Sequence, residues 1–160
     1  MQQIKKNMRN KIIYGAAIIF GILNIANAAD IATNPVPADG AKYIMLNQIL
    51  SWTSGSEAEL HLVFLGTNQT AVACAEIPDG DLDLSGTVDY NDLHILSEKW
   101  LQNEDGNIVN YLDYSLLAFN WMHRVGNEFK TATAASSYVP KLSTRKTYYW
   151  RIDEVKGNHV

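Results

Sequence analysis

Residues 81–92 read Asp81-Leu82-Asp83-Leu84-Ser85-Gly86-Thr87-Val88-Asp89-Tyr90-Asn91-Asp92, and the spacing of oxygen atoms in this stretch governs how the rest of the chain is read. Counted as a twelve-residue loop, Asp81, Asp83 and Ser85 occupy positions 1, 3 and 5. Thr87 offers its backbone carbonyl at position 7, and Asp89 and Asp92 fall at positions 9 and 12. Gly86 holds position 6, where a sharp turn favours a residue without a Cβ. Calcium is a hard cation that takes six to eight oxygens at about 2.3–2.6 Å, and a looped backbone can wrap around it where a single helix or strand cannot. A metal-free turn capping a helix would use the same residue types. However, four carboxylates within twelve residues repel one another unless a cation neutralises them. The spacing therefore predicts a Ca2+ site of the set Asp81, Asp83, Ser85, Thr87, Asp89 and Asp92. Magnesium, which demands a tight octahedron with retained waters, suits it less well.

The pattern returns 21 residues later: Val88, Tyr90, Asp92, Leu96 and Trp100 recur as Val109, Tyr111, Asp113, Leu117 and Trp121. Such an internal duplication implies two copies of one supersecondary unit. Each copy reads as a loop followed by a short helix. Leu93, Leu96 and Trp100 in the first and Leu116, Leu117 and Trp121 in the second lie near helical spacing, so two small apolar faces can bury one another. The duplication sets the second loop's register, with Gln102, Glu104, Gly106, Asn107, Asn110 and Asp113 at positions 1, 3, 5, 6, 9 and 12. Gln102 is neutral at the leading position and Gly106 has no side-chain oxygen, so this loop is expected to bind weakly or not at all.

A pair of loop-helix units with EF-hand-like calcium positions resembles the dockerin family, over about residues 78–123. The resemblance implies a small calcium-folded module that docks onto a cohesin-like or other extracellular protein partner. In that family, loop positions 10 and 11 help to select the partner. Here they are Tyr90-Asn91 and Tyr111-Leu112, where the best-known cellulosomal members carry Ser/Thr pairs. A segment of about 45 residues buries too little surface to be secure alone, and a bound metal would add its binding free energy to the folded state.

On either side the composition changes. Residues 29–75 and 124–160 contain short β-type runs, Gln48-Ile49-Leu50-Ser51-Trp52, Glu59-Leu60-His61-Leu62-Val63-Phe64-Leu65 and Thr147-Tyr148-Tyr149-Trp150-Arg151-Ile152, broken by turn residues, which suggests a sandwich. In the second run Leu60, Leu62 and Phe64 alternate with Glu59, His61 and Val63, as in a strand with one wet face. In the third, Tyr148, Trp150 and Ile152 share a core face. Together with Asn34-Pro35-Val36-Pro37-Ala38-Asp39-Gly40-Ala41, Leu50-Ser51-Trp52, Leu65-Gly66-Thr67 and Leu142, these segments resemble the fibronectin type III-like modules of exported planctomycete-type proteins. The fold class expected is mixed: an all-α loop-helix pair (76–123) inserted in an all-β immunoglobulin-like sandwich that lacks a further C-terminal strand.

The chain begins with Lys5, Lys6, Arg9 and Lys11, then the apolar stretch Ile12 to Ile25 and Ala26-Asn27-Ala28, the pattern of a secretory signal peptide spanning residues 1–28. Its apolar stretch is shorter than the roughly 20 residues of a spanning helix, so no membrane span is expected after cleavage. The remaining chain has nine basic and seventeen acidic residues, a net charge of −8, which disfavours nucleic acid as a partner. Cys74 is the only cysteine, so no intrachain disulfide can form, and its apolar surroundings predict a small buried residue. His61, His94, His123 and His159 lie far apart in the sequence, and no Gly-x-Ser-x-Gly or His-Glu-x-x-His motif is present, so no enzyme is expected. The sequence thus reads as a secreted, non-catalytic calcium-binding protein for docking or surface assembly, linked to polysaccharide degradation and with possible glycan association. The competing reading is the accessory region of a larger extracellular glycoside-active enzyme.

Overall fold

The computed structural model describes residues 3–6, 31–104 and 107–156. The apolar stretch and cleavage motif expected of a signal peptide lie outside the described residues, as do Gly106, His159 and the side chains of 103, 104 and 107. In chain order the elements are β1 (Gln3–Lys6), β2 (Thr33–Val36), β3 (Leu50–Thr53), β4 (Leu60–Gly66), α1 (Gln69–Cys74), α2 (Tyr90–Glu98), β5 (Asn103–Glu104), β6 (Asn107–Ile108), α3 (Tyr111–Phe119), β7 (Phe129–Thr133), β8 (Ser137–Tyr138) and β9 (Thr147–Val155). The fold is mixed, with two three-stranded antiparallel sheets and three short helices. Residues 3–6, 31–75 and 126–156 cluster as one compact unit, and residues 76–125 as another.

In the first unit, one sheet has the order β2-β3-β8 and the other β9-β4-β7, with β1 running parallel along β9 from Gln3↔Thr147 to Lys6↔Trp150. Leu50 and Trp52 of β3, Val63 and Leu65 of β4, and Tyr148, Trp150 and Ile152 of β9 belong to a single core cluster. Alternation on β9 thus sends Tyr148 and Trp150 inward, because that face meets the other sheet. Trp150 is 2% exposed and has no face open to a sugar ring.

The wet face expected on β4 is absent, since His61 through Leu65 are all buried. A helix that the sequence reading lacks, α1, packs on the outer face of β4 and β9. Asn68 caps it by accepting a hydrogen bond from the Ala71 amide at 3.1 Å, and Val72 is its buried residue. One and a half turns that point Val72 inward carry Cys74 outward, so the cysteine is exposed and not the buried residue expected. Beneath α1, the buried Arg151 donates to the carbonyls of Val72 (2.7 Å), Ala73 (2.8 Å) and Ala75 (2.6 Å). It pairs with Asp153 at 2.8 Å and lies 4.1 Å from the Phe64 ring centroid. Carbonyls at a helix end have no partners within the helix, and a guanidinium has five donors to offer them.

The second unit shows the duplication in its backbone. Helices α2 and α3 are each nine residues long, capped by Asp89 and Asn110, and each carries a capping box, Asp89 with Asp92 and Asn110 with Asp113. Leu101 and Met122, equivalent positions after the helices, both adopt left-handed backbone angles (φ 58° and 64°). Each then donates to a loop residue: the Leu101 amide to the Val109 carbonyl and the Met122 amide to the Val88 carbonyl, both at 2.9 Å. Further pairs run from the Val88 amide to the His123 carbonyl and from the Val125 amide to the Gly86 carbonyl. Val88, Leu96, Val109 and Leu117 form the buried core, with Leu82, Leu93 and Trp100 packed against it. Trp121 departs from its equivalent Trp100. Each helix ends two residues before its tryptophan, yet Trp100 packs against the core while the Trp121 indole is 43% exposed.

Gly80 (φ +91°) lets the start of the first loop touch α3, since a Cβ there would sit 2.7 Å from the Leu117 Cα. Both the backbone angle and the clash oppose any side chain. Gly80→Ala is expected to destabilise the second unit by about 1–3 kcal/mol, read as a lowered midpoint in denaturant unfolding followed through helix content. Arg151→Ala in the first unit strands Asp153 and three carbonyls and is expected to cost about 3–5 kcal/mol by the same measurement.

Candidate metal centre

The loop from Asp81 to Asp92 curls around its own carboxylates. Asp81 accepts from the Ser85 amide at 3.0 Å and from the Gly86 amide at 2.7 Å. Asp83 accepts from the Ser85 amide at 2.9 Å. Asp92, 0% exposed, takes three backbone donors: Leu82 at 2.6 Å, Asp83 at 3.1 Å and Asp89 at 2.7 Å. The turn that brings these amides inward needs left-handed angles at Leu84 (φ 55°) and Gly86 (φ 91°), the second being natural for glycine.

Asp81, Asp83 and Asp92 thereby place carboxylate oxygens within 4.8 Å of one another, a group able to hold a metal ion. Asp81 and Asp92 are buried and Asp83 is exposed, so the cluster opens to solvent on one side. The remaining predicted ligands stand differently. Ser85 donates its hydroxyl to the Thr87 carbonyl at 3.2 Å, so those two oxygens are neighbours. Asp89 accepts from the Asn91 amide at 2.8 Å as the cap of α2 and is not part of the carboxylate group.

The second loop takes another course. Its backbone closes as the β5–β6 hairpin, with Asn103 opposite Ile108 and Glu104 opposite Asn107. Gln102 donates to the Glu98 carbonyl at 2.6 Å, and Asn110 and Asp113 are engaged with each other in capping α3. The Glu104 side chain lies outside the described residues. Among the described residues the first loop alone gathers three metal-binding side chains.

Burial raises the Asp81 carboxyl from an ordinary 3.8 to about 7, with Asp83 and Asp92 adding to the shift and the Gly86 amide opposing it. Desolvation and like charges both disfavour the carboxylate form. A divalent cation would remove that penalty, and an all-oxygen donor set suits a hard cation over a thiophilic one. The residues present therefore fit a metal. What the sequence reading missed is the structural work of Asp92, which ties Leu82 and Asp83 to the head of α2. The Asp89-x-x-Asp92 spacing of a capping box was its only visible signal.

Tyr90 and Asn91 occupy the first two positions of α2, and Tyr111 and Leu112 those of α3; all four are exposed, Tyr90 at 70% and Tyr111 at 78%. Among the described residues no helix is long and apolar enough to cross a membrane. Compared with family models, with curated proteins and with solved structures, the chain matches none.

Without metal, folded Asp81 keeps its proton up to about pH 7, while the unfolded chain loses it near 3.8. Between those values the folded state binds more protons than the unfolded one, so its stability falls as pH rises. In chelator, the melting temperature of the second unit is expected to fall from pH 4.5 to pH 7.5, and Asp81→Asn to flatten that decline. With cation present the metal replaces the proton, and the stabilisation it adds should grow across the same window. A decline in chelator unchanged by Asp81→Asn would disprove this account.

Proposed function

We propose that this is a secreted calcium-binding docking protein, in which a dockerin-like module spanning about residues 76–123 is carried by a fibronectin type III-like sandwich and attaches it to an extracellular protein partner. The observation that carries this reading is the convergence of Asp81, Asp83 and Asp92 within one loop, at the head of a capped helix that is repeated 21 residues later. Calcium is favoured over magnesium because Ser85, the Thr87 carbonyl and, through water, Asp89 extend the oxygen set beyond what a small octahedral ion uses. The cation would neutralise the cluster and hold the loop against α2, a structural role with no reaction attached to it.

The exposed Tyr90-Asn91 and Tyr111-Leu112 pairs would supply the docking contacts. Tyrosine gives large contact area at little cost in conformational entropy. Attachment of this kind suits a role beside polysaccharide-degrading machinery. The buried state of Trp52, Tyr148 and Trp150 argues against glycan stacking by the sandwich core.

Calcium added to the chelated protein is expected to give a saturable gain in helix by circular dichroism and a change in tryptophan emission, since Trp100 packs on the module core and edges Tyr111 at 5.2 Å. Asp81→Ala should weaken the response at least tenfold in calcium concentration. Extracellular proteins retained on the immobilised chain should be released by chelator, and Tyr90→Ala with Tyr111→Ala should abolish retention while leaving the calcium-induced gain in helix intact. A chain whose helicity and emission ignore calcium would sink the reading.

A further inference from the structure

The first unit contains a hydrogen-bonded chain of side chains that the docking role does not use. Ser54 lies in the turn between β3 and β4, His61 on β4 and Glu154 on β9. The Ser54 hydroxyl is 3.2 Å from His61 Nε2, and His61 Nδ1 bonds to a Glu154 carboxylate oxygen. The other Glu154 oxygen accepts from the Gly55 amide at 3.1 Å. His61 and Glu154 are 1% and 8% exposed, while Ser54 and Ser136 are half-buried. The Ser136 hydroxyl stands 2.7 Å from that of Ser54, and the Trp52 ring meets the imidazole edge-on with centroids 5.3 Å apart.

The roles follow from what each group can donate. A carboxylate only accepts, so Nδ1–H donates to Glu154 and Nε2 keeps a lone pair for the Ser54 hydroxyl. The Gly55 amide and burial hold the carboxylate still, and Trp52 holds the ring. A histidine and a carboxylate placed on the core faces of two strands are costly in a sandwich, where two apolar residues would pack as well. Ser54, by contrast, is partly open to solvent at the end of the core. This is the order of a nucleophile, a general base and a group that orients the base.

We propose that Ser54 is an activated nucleophile and that the first unit carries an acyl-transfer site for small carboxylic esters. Ser54 Oγ attacks the ester carbonyl carbon as its proton passes to His61 Nε2. The carbon–oxygen bond to the leaving alcohol then breaks, and that alcohol takes the proton from Nε2. Water attacks the acyl-serine by the same route in reverse, releasing the acid and restoring Ser54. Glu154 is a positioning residue that acts through His61. The sequence reading set His61 aside because it belongs to no catalytic motif and lies far from the other histidines; its partner Glu154 is 93 residues away. This inference is independent of the calcium module.

The test is to treat the full chain with a fluorophosphonate and map the adduct by mass spectrometry, and to measure p-nitrophenyl acetate hydrolysis. Labelling is expected at Ser54 in the folded protein and not in urea, and Ser54→Ala should lower kcat/KM about 100-fold at an unchanged melting temperature. Glu154→Gln should lower kcat while leaving KM near its original value. Failure of the folded chain to form an adduct at Ser54, or ester hydrolysis that Ser54→Ala leaves within twofold, would overturn the proposal and make the His61–Glu154 pair a pin between strands. The Ser54 adduct is read on the unaltered protein, so the test does not depend on any variant folding.

Discussion

A fully buried carboxylate, that of Asp92, organises the second unit. It sits at the head of α2 and receives the amides of Leu82, Asp83 and Asp89, so one side chain both caps a helix and draws the start of the loop onto it. Burying a charge is expensive unless hydrogen bonds and opposite charge surround it. The three amides meet part of that cost, but they also bring Asp81 and Asp83 close to a group of like sign. The geometry that best satisfies Asp92 therefore concentrates negative charge, a conflict that a cation would resolve. The second half of the module keeps the capping box, and among the described residues it gathers no such group of carboxylates.

The duplication was legible because it rests on period and spacing. The 21-residue repeat of Val88, Asp92, Leu96 and Trp100 exposes which residues start each helix and which enter the core. The leading carboxylates of the first loop were legible for the same reason. What could not be read was the division of labour among the loop oxygens, because a capping aspartate and a ligating aspartate are the same residue at neighbouring positions. Asp89 caps the helix, Asp92 both joins that cap and stands in the carboxylate group, and the difference lies in backbone angles that a sequence does not display. Both helices stop two residues short of their tryptophan, so the repeat did not foretell that Trp100 packs on the core while Trp121 stays 43% exposed.

In the first unit the aromatic face of β9 was plain from alternation, yet its opposite face was not. Arg151 and Asp153 look like residues on a wet surface. They are buried because α1 lies over them, and α1 is secured by Arg151, which gathers carbonyls at its C-terminal end. Neither the short helix nor the buried guanidinium predicts itself from local propensity, and each accounts for the other. The same non-local logic removed the wet face of β4 and put Cys74 at the surface.

The segment that follows α3 returns to the first loop, where Val88 pairs with Met122 and His123, and Gly86 with Val125. The module is therefore fastened at its own neck. Pulling on its two ends would load these few backbone bonds, and they lie on the loop that carries the carboxylate cluster. A cation seated there would set the mechanical yield point of the module, making its resistance to tension a property of the surrounding fluid as much as of the chain.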